Sequence, residues 1–140
     1  MKVYLCGGIS GMGDGDAKDW REAAKELFHS ANIDTLDPMR RDYRGREGEP
    51  GVDSEIVRRD LVDIKNSAVV LVNASRPSWG TAMEAFFAAT CGTSYAPSPK
   101  VVAFGAGDRP PPWLSYHCVL YPDLESACRA IIDYKKVAGK

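Results

Sequence analysis

An α/β domain is predicted from three features of the chain. Short apolar runs alternate with helix-periodic stretches, the runs are rich in valine, and Gly, Pro and Asp mark the junctions between them. With 140 residues, 44% hydrophobic and 26% charged, the chain is expected to be a single domain spanning residues 1–140, large enough for one proper core.

Lys2 to Cys6 reads as the first strand and runs into Gly7-Gly8-Ile9-Ser10-Gly11-Met12-Gly13-Asp14-Gly15. Such a loop lets backbone N–H groups come close to a phosphate or sugar. It is neither a P-loop, lacking the Gly-Lys-Ser/Thr ending, nor a GxGxxG fingerprint, and a plain strand-to-helix turn explains it equally well. From Asp16 to Ala31, Trp20, Ala23, Ala24, Leu27 and Phe28 recur at helical spacing and are expected in the core. Ile33 to Leu36 is a short second strand, ended by Asp37-Pro38.

Met39 to Gly51 is basic at its head and has no periodicity. Its length suggests a functional loop or lid over the crevice, in which Arg41 and Tyr43 could clamp an anion or stack on a base. A solvated loop is the alternative. Asp53 to Asn66 is expected to be helical, with Ile56, Val57, Leu61 and Ile64 on one face and Arg58, Arg59, Asp60 and Asp63 decorating it.

The β-branched run Val69-Val70-Leu71-Val72 stops at Asn73, and a polar loop containing Pro77, Ser78, Trp79 and Gly80 follows. Glu84 then falls about one turn inside a helix that continues through Ala89 and ends near Cys91-Gly92. In an open parallel sheet the ligand crevice lies beyond the carboxyl ends of the strands, which puts this loop and helix start at the crevice. An acidic residue in a first helical turn is common, because the helix dipole favours it. Here the neighbours are almost all apolar, so much of this helix is expected to be buried and the Glu84 pKa to be raised.

Lys100 to Phe104, closed by Gly105, is the fourth strand. Arg109 to Leu114 is a stiff proline-rich segment, Cys118 to Leu120 a fifth strand and Asp123 to Tyr134 the last helix. With right-handed crossovers these elements make a three-layer sandwich on a five-stranded, mainly parallel sheet, flavodoxin-like in topology.

A net charge of −1 and a pI near 6.1 give no electrostatic footprint for a nucleic-acid polymer or an anionic membrane, so a small substrate is expected. No apolar stretch is long enough to span a bilayer and no signal-peptide core follows Met1, which suits a cytoplasmic protein. Cys6, Cys91, Cys118 and Cys128 show no CxxC pairing and read as buried free thiols. His29 and His117 have no partner at ligand spacing, so neither a metal nor another cofactor is expected.

Val3-Tyr4-Leu5-Cys6-Gly7-Gly8-Ile9-Ser10, Asp60-Leu61 with Asp63-Ile64, Pro77-Ser78-x-Gly80-Thr81-x-x-Glu84 and the strand with glycine near Phe104 together resemble the nucleoside 2-deoxyribosyltransferase family. The match runs over nearly the whole chain. Asp37 to Gly45 and Pro77 to Glu84 look like a phage and bacterial branch, and the 2′-deoxynucleoside 5′-phosphate N-hydrolases are close relatives.

The resemblance implies chemistry at an N-glycosidic bond. The glutamate matching Glu84 attacks the anomeric carbon, the aspartate matching Asp60 handles the proton of the departing base, and the tyrosine matching Tyr4 holds the nucleophile. It places Gly7, Gly8, Ser10, Ser78 and Gly80 around the substrate. The hydrolase relatives use such serines around a 5′-phosphate, but this chain lacks the arginine they carry in the opening loop. Transferases bring a polar residue from a neighbouring subunit to the sugar, and the aligned region here is Tyr116-His117. Trp79 and Trp113 are candidate walls for a flat base. A homodimer or larger homo-oligomer is implied. The expected function is a deoxyribosyltransferase acting on 2′-deoxynucleosides and free bases, with a 5′-monophosphate N-hydrolase as the alternative and a non-catalytic nucleotide sensor as the second alternative.

Overall fold

The computed structural model describes residues 1–139. β1 (Lys2–Cys6), β2 (Asp34–Leu36), β3 (Val69–Asn73), β4 (Lys100–Phe104) and β5 (Val119–Tyr121) form one sheet in the order β2-β1-β3-β4-β5. Every pairing is parallel, so the sheet is wholly rather than mainly parallel. The helices are α1 (Trp20–Ser30), α2 (Val52–Lys65), α3 (Trp79–Thr90), α4 (Pro112–His117) and α5 (Leu124–Ala138).

The central strands are buried on both faces, which is why they read as continuous apolar runs. Their two-residue period divides the core. Val3, Leu5, Val69, Leu71, Val102 and Phe104 pack with Ala24 and Phe28 of α1 and Ala127, Cys128 and Ile131 of α5. Tyr4, Cys6, Val70 and Val72 face the other way, onto Ile64 of α2 and Ala85 and Ala88 of α3. Between β1 and β3 the strand order reverses, and in such sheets the ligand side lies beyond the carboxyl ends of the strands, here Cys6 and Asn73.

Several boundaries differ from expectation. The helix expected over Asp16 to Ala31 is split into a π-helical turn, Gly15–Asp19, and α1, and Ala23 faces solvent. The second and fifth strands each begin one residue later than read and the last helix runs on to Ala138. The proline-rich segment leads into a short helix, with Pro112 at its first position, where its missing N–H costs nothing. Val57 is exposed, so the buried face of α2 is narrower than its apolar content suggests. Three of the cysteines are buried free thiols and Cys91 is half-buried.

Gly7 has a packing reason: a Cβ there would stand 2.8 Å from the Trp20 ring and 3.3 Å from the Asn73 Cβ. Gly105 turns the chain after β4 with φ +78°, a conformation that strains other residues. At the far side, Lys135 of α5 donates to the carbonyls of Ala31 and Asn32 at 2.8 and 2.7 Å, covering the end of α1.

One charged side chain lies fully inside. Arg21 of α1 is 0% exposed and donates to the carbonyls of Ala17, of Gly7 at 3.0 Å and of Leu5 at 3.5 Å, gripping the exit of β1. Its Nε lies 3.4 Å from Asp37, which also pairs with Lys25 at 2.6 Å and caps the 3-10 turn Pro38–Arg41. Replacing Arg21 by Met removes the grip on three carbonyls and should destabilise the fold by about 3–5 kcal/mol, the range for breaking a buried pair. Urea unfolding followed by circular dichroism measures it, and a loss under about 1 kcal/mol would rule out this role.

Candidate active site

Tyr4 and Cys6 lie two residues apart on β1 and so share the face toward α2 and α3. α3 starts at Ser78, whose Oγ accepts a hydrogen bond from the Thr81 N–H at 3.4 Å. This start sets the rotation of the helix. Thr81, Ala85 and Ala88 meet the sheet, and Glu84 falls on the flank toward Tyr4 and α2.

The Tyr4 hydroxyl donates to Glu84 Oε2 at 3.0 Å. The Cys6 thiol donates to the Thr81 carbonyl at 3.7 Å and fastens β1 to the first turn of α3. A Cβ at Gly80 would stand 3.9 Å from Glu84 Oε1, so glycine leaves that side of the carboxylate open.

Burial pushes the Glu84 carboxyl up to about 7, and the charge of Asp60 adds to the rise. The neighbouring Cys6 thiol, the Tyr4 hydrogen bond and the Arg21 charge pull the other way. Burial also raises Asp60, against the pull of Arg41. The Tyr4 phenol is raised by burial and then by both carboxylates, so it remains a donor at neutral pH. Glu84 thus keeps its proton up to about pH 7, and Asp60 is shifted in the same direction.

Asp60 and Arg41 are tied to this centre by an ion cluster. Arg41 reaches Asp63 at 2.7 Å and Asp60 at 3.4 Å, and Arg40 reaches Asp63 at 2.6 Å. Arg41 was a candidate anion clamp, and here its charge is met by protein carboxylates. Asp63 and Arg40 were not candidates, although the one-turn spacing of Asp60 and Asp63 was a signal that both face one way.

The remaining candidates divide. Gly8 lies against Ser78, with a built Cβ 3.9 Å from the Ser78 Cβ. Ser10 donates to Glu47 Oε1 at 3.0 Å. That bond joins the opening loop to the segment after the 3-10 turn, and Arg44 reinforces it by reaching the Met12 carbonyl at 3.1 Å and Asp14 at 2.6 Å. The Met39–Gly51 stretch is thus a short 3-10 turn followed by a strap latched to the opening loop. Tyr43 is half-buried within it.

Trp79 and His117 lie elsewhere, on the flank of α3 turned away from Glu84. The buried α3 helix expected from its composition is buried on one side only: Trp79 is 87% and Met83 68% exposed. With Phe86, Trp113, Leu114 and His117 they line a cavity of about 680 Å³ between α3 and α4. His117 Nδ1 is 2.7 Å from the Trp113 carbonyl, and its ring stacks on the Trp113 ring. Glu84, Tyr4 and Asp60 do not line this cavity. Among the described residues no group of three or more His, Cys, Asp or Glu side chains could hold a metal ion, and no helix is long and apolar enough to cross a membrane.

No curated protein matches the chain. Among solved structures, it is similar to a 2-deoxyribosyltransferase from the psychrotolerant bacterium Bacillus psychrosaccharolyticus, described as a biocatalyst for the synthesis of antiviral and antitumoral nucleosides. That match has 15% identity and a TM-score of 0.70, and covers 94% of this chain and 96% of that one. A conserved protein from Enterococcus faecalis V583 matches with 14% identity and a TM-score of 0.68, covering 96% and 98%. At such identities these likenesses speak for the fold. The family model for nucleoside 2-deoxyribosyltransferase matches residues 3–110, which include Tyr4, Asp60 and Glu84. The chain belongs to the nucleoside 2-deoxyribosyltransferase family.

Proposed function

We propose that this protein transfers 2-deoxyribose between nucleobases through a covalent ester on Glu84. The observation that carries the reading is the Tyr4–Glu84 hydrogen bond of 3.0 Å at the switch-point crevice, with Asp60 beside it. In the first step a Glu84 oxygen bonds to the anomeric carbon as the bond from that carbon to the base nitrogen breaks. The leaving nitrogen takes the proton of Asp60. In the second step a nitrogen of another base attacks the same carbon, the ester breaks, and Asp60 takes the proton the incoming base loses. Tyr4 steadies the nucleophile in both steps and keeps its own proton.

A non-catalytic sensor has no use for a carboxylate held in this state. Hydrolysis of a 5′-monophosphate is the second reading, favoured by the closeness of Gly8 and Ser78 at two facing loops. Against it, the Ser10 hydroxyl already serves the Glu47 carboxylate, which is a poor setting for a phosphate. The exposed apolar groove supports an oligomer, with a second copy of the chain as its occupant. Trp79, Met83, Phe86 and Trp113 line it, a composition suited to self-association.

Chromatography of reactions containing each deoxynucleoside, or each 5′-monophosphate, with and without a second base, tests the reaction. Base exchange on the unphosphorylated sugar is expected, and free base released from monophosphates alone would replace this reading with the hydrolase. Glu84→Gln should lower turnover at least about 10³-fold while substrate still binds, whereas Glu84→Gln turnover near that of the parent would end the nucleophile assignment. Tyr4→Phe should cost roughly tenfold in kcat through the lost hydrogen bond, read by steady-state kinetics.

Activity should follow a bell against pH, rising on the acid side through about 7 as Glu84 ionises to the nucleophile and falling on the alkaline side as Asp60 loses the proton it gives to the base. The same shift acts on stability. Between its usual value of 4.5 and about 7 Glu84 stays protonated when folded but ionises when unfolded, so its contribution to stability falls as pH rises. Glu84→Gln is freed of this loss and should be more stable than the parent at pH 8 by about 2 kcal/mol, measured by urea unfolding.

A further inference from the structure

Asp60 shares α2 with a second carboxylate one turn on. Asp63 is 8% exposed and receives two guanidinium groups, Arg40 at 2.6 Å and Arg41 at 2.7 Å. The same Arg41 nitrogen reaches Asp60 only at 3.4 Å. Arg40 is held to this arrangement by a 2.8 Å bond to the Asp37 carbonyl. The short charge-assisted bond thus goes to the carboxylate outside the reacting pair, and the carboxylate inside it gets the long one.

We propose that Asp63 is a positioning residue: it draws Arg41 away from Asp60 and so favours the protonated, proton-giving form of Asp60. This rests on the reading of Glu84 as nucleophile and Asp60 as proton donor. That chemistry needs the proton on Asp60 and the charge on Glu84. A cation pressed against Asp60 favours the reverse, with an ionised Asp60 that has nothing to give and a protonated Glu84 that cannot attack.

The groups that face Asp60 are Arg41 from the 3-10 turn, Asp63 from α2 itself, Tyr4 from β1 and Glu84 from α3. Arg41 is the cation that meets Asp60, so its placement sets how strongly Asp60 is held ionised. Asp63 acts twice in the same direction, by drawing the guanidinium away and by adding its own negative charge near Asp60.

The test uses the full chain and the deoxynucleoside found active in base exchange, with kcat, KM and pH profiles for Asp63→Asn, Arg41→Met and the double variant. Asp63→Asn should lower kcat about tenfold for each unit that Asp60 falls, with KM little changed and the alkaline limb moved to lower pH. Arg41→Met should move that limb to higher pH. The double variant should recover most of the kcat lost by Asp63→Asn, which a role confined to packing would not produce. Parental kcat and limbs in folded Asp63→Asn, or a deeper loss in the double variant, would overturn the proposal. If Asp63→Asn does not fold, the Arg41→Met limb decides alone: an upward move supports the proposal and no move overturns it. Asp60→Asn and Glu84→Gln run alongside. If either retains turnover the underlying reading of the pair has failed, whereas inactive controls with an unaltered Asp63→Asn reject the positioning role alone.

Discussion

The partial withdrawal of the Glu84 carboxylate from water, against a tyrosine that donates a hydrogen bond to it, is the constraint on which the site depends. A bare carboxylate so enclosed is costly, and the fold offsets this with donors arriving from separate elements. Tyr4 comes from the strand beside the sheet reversal, and the Cys6 thiol fixes that strand to the carbonyl of Thr81. Arg21 sits behind them with no exposure at all, securing the carbonyls from which the opening loop departs. Strand, loop and helix are held in register by polar contacts placed within apolar surroundings. The chemical centre and the mechanical joint of the domain are therefore the same few residues.

Much of this was legible in the chain. β1, β3 and β4 are buried on both faces and show themselves as β-branched runs, while the loop before Glu84 carries its own helix cap in Ser78. The convergence of Tyr4, Asp60 and Glu84 was reached through family motifs rather than spacing, since residues from three elements have no common period. Arg21 could not be recognised as interior, because a charged residue beside Trp20 reads as the polar side of an amphipathic helix. Only the fold reveals the three carbonyls and the Asp37 carboxylate that it meets. The composition of α3 misled for the converse reason. Apolar residues all round a helix imply burial all round, yet one flank is left open in the single chain.

The opening loop and the segment after the 3-10 turn are best understood together. Neither has a regular backbone, and each lends the other side chains: Ser10 to Glu47, Arg44 to Asp14 and to the Met12 carbonyl. These contacts are exposed and charged, so each contributes little by itself at physiological salt. The core beneath them is of a different kind, dry and continuous. A soft rim over a firm floor allows passage to the crevice without disturbing the geometry of the carboxylate pair.

The lysine bonds that join α5 to the end of α1 bear on how the protein is born. Val3 and Leu5 pack on a face of the sheet that Ala127, Cys128 and Ile131 must cover. Lys135 then closes carbonyls made more than a hundred positions earlier, at Ala31 and Asn32. During synthesis the early strands accordingly wait with one side uncovered until the last helix is translated. The pairing of β1 with its cover on this side is therefore a long-range event, closed only when α5 is in place.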